Sequence, residues 1–185
     1  MKQALLLIDI QNDYFPGGAM TLEGSVAAGQ RAGELLAACR QQGIPAVHIQ
    51  HLSTRPGATF FVPDSVGVDI HVCVAPLAGE TVIRKNFPNS FRNTGLLEHL
   101  KGLGCEQLLI DGMMSNMCVD ATVRAAADLG FRCRLAHDAC AARALSFNGV
   151  DVPAAQVHAA FMAALQGLYA EVASAEKLIA GLASG

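Results

Sequence analysis

Short apolar runs alternate along the chain with longer segments of helical period. The runs have the length and composition of strands that are buried on both faces. They predict strands at Ala4–Ile8, Pro45–Ile49, Thr81–Arg84, Gln107–Ile110 and Cys133–Ala136, with a weaker sixth strand at Glu171–Ala173. The helical periods predict helices at Ser25–Gln42, Thr94–Leu103 and Asn116–Leu129, and each is followed by a glycine, a common helix end.

This alternation predicts an α/β fold with a parallel sheet. A parallel neighbour needs a long crossover, and right-handed crossovers place helices over both faces of the sheet. A length of 185 residues without a linker-like or repetitive stretch fits one domain over residues 1–185. In such sheets ligands bind beyond the carboxyl ends of the strands, so polar residues directly after strands are the candidates for function.

Composition narrows the class of protein. Hydrophobic residues make up 52% of the chain and charged residues only 16%, which excludes disorder and suggests that another copy covers some surface. The net charge of −3 and the lack of a basic run argue against nucleic acid as a partner. The first apolar run is too short to span a membrane, and six widely spaced cysteines fit reduced thiols. We therefore expect a soluble, cytoplasmic protein.

Three reactive side chains fall at the carboxyl edge of the predicted sheet. Asp9 ends the first strand, Lys85 ends the third, and Cys118 begins the helix after the fourth, so all three can meet in one cleft. A cysteine near a helix N-terminus and beside a lysine has a lowered thiol pKa, which predicts a thiolate nucleophile. Asp9 can exchange its proton, and the amides of the turn before Cys118 can bind an oxyanion, as acyl transfer requires.

Each of these residues also has an ordinary structural explanation. A lone aspartate after a strand is often a helix cap or a surface turn, and a cysteine facing a sheet is often a small core residue. The convergence of all three side chains at strand ends is what favours a cysteine-based active site.

Three separated segments carry a resemblance to a known family. They read LIDIQNDYF at residues 7–15, RK at 84–85 with SF at 90–91, and DGMMSNMCVDATVRAAADLG at 111–130; Asp138-Ala139 follows the fifth strand. In this order, and over nearly the whole chain, they resemble the isochorismatase-like cysteine hydrolases. The resemblance implies a Rossmann-like, three-layer α/β/α fold with a six-stranded parallel sheet, and a homodimer or homotetramer.

The resemblance also implies an Asp–Lys–Cys triad, which carries over to Asp9, Lys85 and Cys118. It implies a cis peptide bond between Met113 and Met114, with the amides of Met114 and Cys118 forming the oxyanion hole. The implied reaction is hydrolysis of a small-molecule amide through a thioester, without a cofactor. Two alternatives stay open: vinyl ether hydrolysis, as in isochorismatases, which lack a cysteine at this position, and a catalytically silent binding protein.

The segment after the second strand is where relatives of this family can bind a metal ion. Nicotinamidases of this family bind a metal through an Asp-x-His pair after the second strand, but here that segment offers only His48 and His51, which a strand points to opposite faces. We therefore predict no metal.

Segment 60–65 fits either a lid or a subunit contact. Side chains near the triad are expected to bind substrate: Asn12, Phe15, His51, Phe61, Phe87, Phe91 and Met117.

Overall fold

The computed structural model describes residues 1–182 and contains a six-stranded sheet in which every neighbouring pair is parallel. Numbered along the chain, its strands and those of a separate antiparallel hairpin are β1 (Gln3–Ile8), β2 (Ala46–His51), β3 (Thr81–Lys85), β4 (Gln107–Met113), β5 (Arg132–Ala141), β6 (Leu145–Phe147), β7 (Val150–Val152) and β8 (Glu171–Ala173). The large sheet has the order β3-β2-β1-β4-β5-β8, and β6 pairs with β7. The central strand β1 therefore ends between the strands that carry the other candidate residues.

Helices cover both faces of the sheet. Within residues 1–182 the α-helices are α1 (Ser25–Gln41), α2 (Leu96–Gly102), α3 (Asp120–Asp128), α4 (Ala154–Leu165) and α5 (Ala175–Leu182). No helix in this part of the chain has both the length and the apolar character needed to cross a bilayer.

Alternate residues of the central strands face opposite helical layers. In β1, Leu5 and Leu7 join an apolar cluster with α1 and α5, whereas Leu6 and Ile8 join a second cluster with α2, α3 and α4. Each of these side chains is at most 2% exposed, and burying one such side chain stabilises a fold by ~1.5–3 kcal/mol. The predicted three-layer α/β/α architecture is therefore confirmed.

The largest differences from the predicted bounds are in β5 and in the helix predicted from Asn116. β5 continues to Ala141 instead of ending at Ala136, because the pairing with β4 resumes after a shift in register, with Cys140 beside Gly112 and Ala141 beside Met113. The helix predicted from Asn116 begins with a wide π-helical turn over Ser115–Val119, and α3 follows it. This turn is the segment that holds Cys118.

The hairpin of β6 and β7 lies apart from the large sheet. Its turn residues Asn148 and Gly149 have φ angles of 52° and 79°, the left-handed pair that a two-residue hairpin turn prefers. Phe147 and Val150 flank the turn and are 83% and 62% exposed. The expected homodimer or homotetramer stays a prediction.

β1 and β4 come unusually close at the carboxyl edge of the sheet. Gly112 pairs with Ile8 and has a φ of +137°, a backbone conformation that side chains rarely allow. A Cβ atom at residue 112 would overlap the carbonyl oxygen of Ile8. The glycine therefore lets the strand before the Cys118 turn approach the strand that ends in Asp9.

Asp111 is a buried carboxyl group on β4 whose two oxygens lack hydrogen-bond partners in the described part of the chain. Burial raises its pKa well above the usual value, which favours the protonated form of this group in the native protein. The unfolded chain releases the proton near pH ~3.9, so above that pH the native state binds more protons. Stability is therefore lost as the pH rises towards the pKa of the folded state.

We expect Asp111→Asn to remove this pH dependence. From about pH 4 upward, the unfolding free energy of the wild type should fall relative to that of the variant, by at most ~1.4 kcal/mol per pH unit. Urea unfolding of both proteins across pH measures the difference. If burial of the Asn amide carries a constant free-energy cost, this cost shifts the unfolding free energy equally at every pH and leaves its slope with pH unchanged. Parallel pH profiles would show that the native state does not hold Asp111 protonated.

Candidate active site

The three side chains expected to form a triad meet at the carboxyl edge of the sheet. Asp9 follows β1 in a left-handed conformation with φ 52°, Lys85 is the last residue of β3, and Cys118 lies in the π-helical turn after β4. Lys85 Nζ donates to Asp9 Oδ2 at 2.7 Å. Cys118 Sγ, a carboxylate oxygen of Asp9 and a ring nitrogen of His51 all lie within 4.8 Å of one another. The parallel topology thus brings together residues that are distant in sequence.

Lys85 has an acceptor for each of its three ammonium protons. Besides Asp9, it contacts His51 Nδ1 at 2.9 Å and donates to the Phe87 carbonyl oxygen at 3.1 Å. Because an ammonium group only donates, His51 Nδ1 must accept. Burial lowers the pKa of His51 to about 4, so its ring is neutral at physiological pH and carries its single proton on Nε2.

Burial and mutual contact set the charges of the three groups. Burial alone disfavours the Lys85 ammonium, but Asp9 and Cys118 outweigh it and raise the pKa of Lys85. Burial also raises the pKa of the Cys118 thiol, and Asp9 raises it further. Lys85 offsets only part of this increase. The predicted lowering of the thiol pKa counted the lysine and the helix end but neither burial nor the adjacent carboxylate, and both of these favour the protonated thiol.

The two carboxylate oxygens of Asp9 have different surroundings. Oδ2 accepts from Lys85, whereas Oδ1 is buried without a hydrogen-bond partner in residues 1–182. A buried carboxylate oxygen without a partner is costly, so it is a strong acceptor for a nearby proton. The Cys118 thiol can supply that proton when an electrophile approaches, while Lys85 compensates the charge of the pair.

Asp9, His51 and Cys118 also offer donor atoms close enough together to bind one metal ion. The Lys85 ammonium, however, already lies within 3 Å of both the Asp9 carboxylate and the His51 ring, and a cation would have to displace it. His48 lies elsewhere, with its Nε2 atom 3.1 Å from the Glu80 carboxylate. The donor set therefore fits an ammonium-centred cluster better than a metal centre.

The turn that carries Cys118 begins at a cis peptide bond between Met113 and Met114, as the resemblance implies. The Met114 N–H group donates to no carbonyl in the described part of the chain. The next residue, Ser115, is buried, and its Oγ lies 2.8 Å from Nδ1 of His158 on α4. The turn is thus tied to the helical layer behind it.

A cavity of about 290 Å³ opens beside Cys118, close to the lower end of the ~300–1,000 Å³ range of small-molecule sites. Three of the side chains expected to bind substrate line it: His51, Phe61 and Met117. Met114 lines it as well, and most of the remaining wall is formed by segment 53–61. The start of segment 60–65 is therefore part of the cavity wall.

Buried polar side chains close to Asp9 hold this wall. Gln11 donates through Nε2 to the His51 carbonyl at 2.9 Å and accepts through Oε1 from the His51 N–H at 2.7 Å. Asp13 accepts from the Phe61 N–H at 2.6 Å, and Phe61 has a left-handed φ of 52°. The segment LIDIQNDYF therefore fixes the cavity wall as well as Asp9.

Four other side chains expected to bind substrate do not line this cavity: Asn12, Phe15, Phe87 and Phe91. Asn12 donates to a carbonyl oxygen of the 3₁₀ turn at residues 66–68, and Phe15 stacks on His71 with ring centroids 3.6 Å apart. The Phe87 ring lies 3.8 Å from Cζ of Arg92, and Phe91 packs beside Phe131. Their proximity to strand ends in sequence does not bring their side chains to the cavity.

The sequence did not point to several other cavity residues, among them Tyr14, Ser53, Arg55, Asn86 and Pro88. Tyr14 lies within LIDIQNDYF, and Asn86 directly follows Lys85, so adjacency to the triad could have pointed to both. Arg55 and Phe60 lie in an aperiodic loop, where periodicity gives no information about position.

The isochorismatase domain model matches residues 3–177. The chain is 49% identical to an uncharacterized isochorismatase family protein of Bacillus subtilis (strain 168), over 97% of this chain and 99% of that protein. It is 37% identical to streptothricin hydrolase of Streptomyces noursei, over 83% of this chain and 52% of that protein. Among solved structures, it resembles an isochorismatase-family hydrolase from Oleispira antarctica with a TM-score of 0.94 and 53% identity, over 97% of each chain. The chain therefore belongs to the isochorismatase family of hydrolases.

Proposed function

We propose that this chain is a cysteine-dependent hydrolase that cleaves the C–N bond of a small-molecule amide through a thioester on Cys118. The observation that carries the proposal is the buried Lys85–Asp9 ion pair next to the Cys118 thiol at the wall of a small cavity. A sulfur nucleophile, a base that can take and return its proton, and a fixed cation are the groups that nucleophilic acyl transfer needs. Membership of a hydrolase family supports the same assignment.

In the first half-reaction, Cys118 Sγ attacks the amide carbonyl carbon while its proton moves to Asp9 Oδ1. The N–H groups of Met114 and Cys118 donate hydrogen bonds to the carbonyl oxygen and stabilise the negative charge that develops on it. Collapse of the tetrahedral intermediate breaks the C–N bond, and Asp9 gives its proton to the leaving nitrogen. Ammonia or an amine leaves, and the acyl group stays on sulfur as a thioester.

In the second half-reaction, water attacks the thioester and transfers a proton to Asp9. The C–S bond then breaks, and the proton returns to the departing Cys118 sulfur, which restores the thiol. Lys85 keeps its ion pair with Asp9 at each stage in which that carboxylate is charged, and its charge also favours the transient thiolate.

Vinyl ether cleavage is the competing reaction within the family. It does not need a thiol, so it leaves the placement of Cys118 between the base and the cavity unexplained. A silent binding protein likewise gives no reason for burying an ion pair beneath a thiol, an arrangement that costs desolvation energy. Both alternatives are outcomes of the following test.

The test is to supply a panel of small primary amides, to measure release of ammonia, and to quench the reaction with acid for intact-protein mass spectrometry. We expect ammonia together with a mass increase equal to the acyl group, located on Cys118 and removed by hydroxylamine. Ammonia release without a Cys118 adduct under rapid quench would contradict the thioester route. Cleavage of vinyl ethers but of no amide would favour the competing reaction, and turnover of neither would favour the silent binding protein.

A further inference from the structure

Ser115 and His158 form a buried hydrogen bond behind the turn that carries Cys118. Ser115 is fully buried, and its hydroxyl oxygen lies 2.8 Å from Nδ1 of His158, its only hydrogen-bond partner among the described residues. A serine hydroxyl can donate or accept, so either tautomer of a neutral imidazole completes this bond. Loss of the histidine would leave a buried hydroxyl unpaired, which is costly.

Ser115 adjoins one of the two donors of the proposed oxyanion hole. It is the first residue of the π-helical turn and directly follows Met114. The Met114 carbonyl oxygen accepts from the N–H groups of Met117 and Val119 at 3.0 and 3.2 Å, which holds the turn together from within. Ser115 links Met114, and with it the free N–H group of that residue, to a fixed point outside the turn.

His158 is held in place by the packing of α4. Met162 and Leu165 of this helix belong to the same apolar cluster as Cys118. Burial and the nearby His137 lower the pKa of His158, so its ring is neutral at physiological pH. The helix therefore offers Ser115 a fixed and uncharged partner.

Within residues 1–182, neither Ser115 nor His158 lines the cavity beside Cys118. Neither side chain can contact a substrate that is bound there, so any effect on the reaction must pass through the turn. An oxyanion hole is sensitive to such an effect, since its donors must lie ~2.7–3.1 Å from the oxyanion. A misplacement of ~1 Å by a change far from the chemistry can cost ~10²-fold in rate.

We propose that His158 is a positioning residue for the oxyanion hole: through Ser115 it fixes the turn so that the Met114 N–H group points at the carbonyl oxygen that reacts at Cys118. This inference rests on the proposed acyl transfer to Cys118. It gives α4 a part in the reaction although neither Ser115 nor His158 touches the reacting atoms.

The experiment compares two reactions of the same thiol, of which only one needs an oxyanion hole. p-Nitrophenyl acetate acylates Cys118 through a tetrahedral oxyanion and releases p-nitrophenolate, whereas iodoacetamide alkylates it by displacement of iodide at a saturated carbon. Mass spectrometry gives both rate constants at Cys118, and the buried Cys133 reports any unfolded fraction. The ratio of acylation to alkylation cancels changes in the reactivity of the thiol and isolates the oxyanion hole.

Two variants remove the hydrogen bond from its two ends. His158→Leu keeps a side chain of similar size without a hydrogen-bonding atom, and Ser115→Ala removes the hydroxyl. Each should lower the ratio of acylation to alkylation by ~10–100-fold. The double variant should fall no further than the more impaired single variant, because both changes act through one bond.

Two further variants separate positioning from a general packing effect. His158→Asn places a side-chain amide atom close to the position of Nδ1 and should keep the ratio within about fivefold of the wild type. His99→Leu replaces a partly buried histidine of another helix, α2, and should leave the ratio unchanged.

The inference is overturned if both single variants keep a ratio within about threefold of the wild type, or if their losses multiply in the double variant. Ser115→Ala leaves no unpaired hydroxyl, so it carries the test if His158→Leu does not fold. A lowered ratio in a protein that hydrolyses no amide supports the inference and contradicts only the proposed substrate class. Amide hydrolysis with an unchanged ratio overturns the inference alone, and a wild-type Cys118 that is never acylated overturns it together with the proposed mechanism.

Discussion

Replacing Cys118 with alanine is expected to lower kcat/KM for amide hydrolysis by ~10⁴-fold or more, because the thioester can no longer form. Asp9→Asn preserves the shape of the side chain but cannot accept the thiol proton, and the expected loss is ~10³-fold. Steady-state kinetics on any amide that the wild type accepts measures both losses. Retention of more than about one-tenth of wild-type activity by Cys118→Ala would refute the mechanism.

Two controls separate a chemical effect from a folding defect. Cys133→Ala truncates another buried cysteine, on β5, and should keep kcat/KM within about threefold of the wild type. In Asp9→Asn the thiol loses the carboxylate that helps to raise its pKa, while Lys85 stays beside it. Iodoacetamide should therefore alkylate Cys118 faster at neutral pH in Asp9→Asn than in the wild type, although hydrolysis is lost. Slower alkylation would contradict the electrostatic account of the pair.

Gly112→Ala is expected to destabilise the protein by more than ~4 kcal/mol or to prevent folding. The added Cβ would overlap the Ile8 carbonyl oxygen, and the φ of +137° is strained for alanine in any case. Neither strand can yield, because β1 and β4 are paired along their whole length through the centre of the sheet. Denaturant unfolding and the yield of soluble protein measure the effect.

Gly102→Ala is the matched control, since a Cβ at residue 102 of α2 meets no atom within 4 Å. Alanine is the better helix former by up to ~1 kcal/mol, so this variant should be neutral or slightly more stable than the wild type. Wild-type stability in both variants would show that the close approach of β1 and β4 at Gly112 is wrong.

The fold and the meeting of Asp9, Lys85 and Cys118 could be predicted from the sequence because both depend on periodic or directly adjacent signals. The strands that end in Asp9 and precede Cys118 are apolar runs, and parallel topology alone places their ends together. The sign of the Cys118 pKa shift could not be predicted in this way. It depends on how deeply the thiol and Asp9 are buried together, which is a property of the packed core and not of spacing along the chain.

The cavity wall was predicted only in part, for a related reason. His51 and Phe61 were found because they lie close to strand ends or to an aromatic run, whereas Arg55 lies in a loop held by side chains from another segment. Phe15 was predicted to bind substrate because it ends the first motif. Its ring instead lies in the core and stacks on His71. Loop conformation follows from such long-range hydrogen bonds, which leave no local pattern.

The cavity is built partly from strand ends and partly from a loop outside the sheet, and these two kinds of backbone tolerate sequence change differently. Asp9 follows the central strand β1 and Lys85 ends the edge strand β3, whereas much of the opposite wall comes from segment 53–61, outside the sheet. Substitutions and insertions in surface loops are tolerated far better than changes in packed strands. A descendant can therefore exchange this loop and bind a different ligand while it keeps Asp9, Lys85 and Cys118 in place, so relatives that share these three residues need not share a natural substrate.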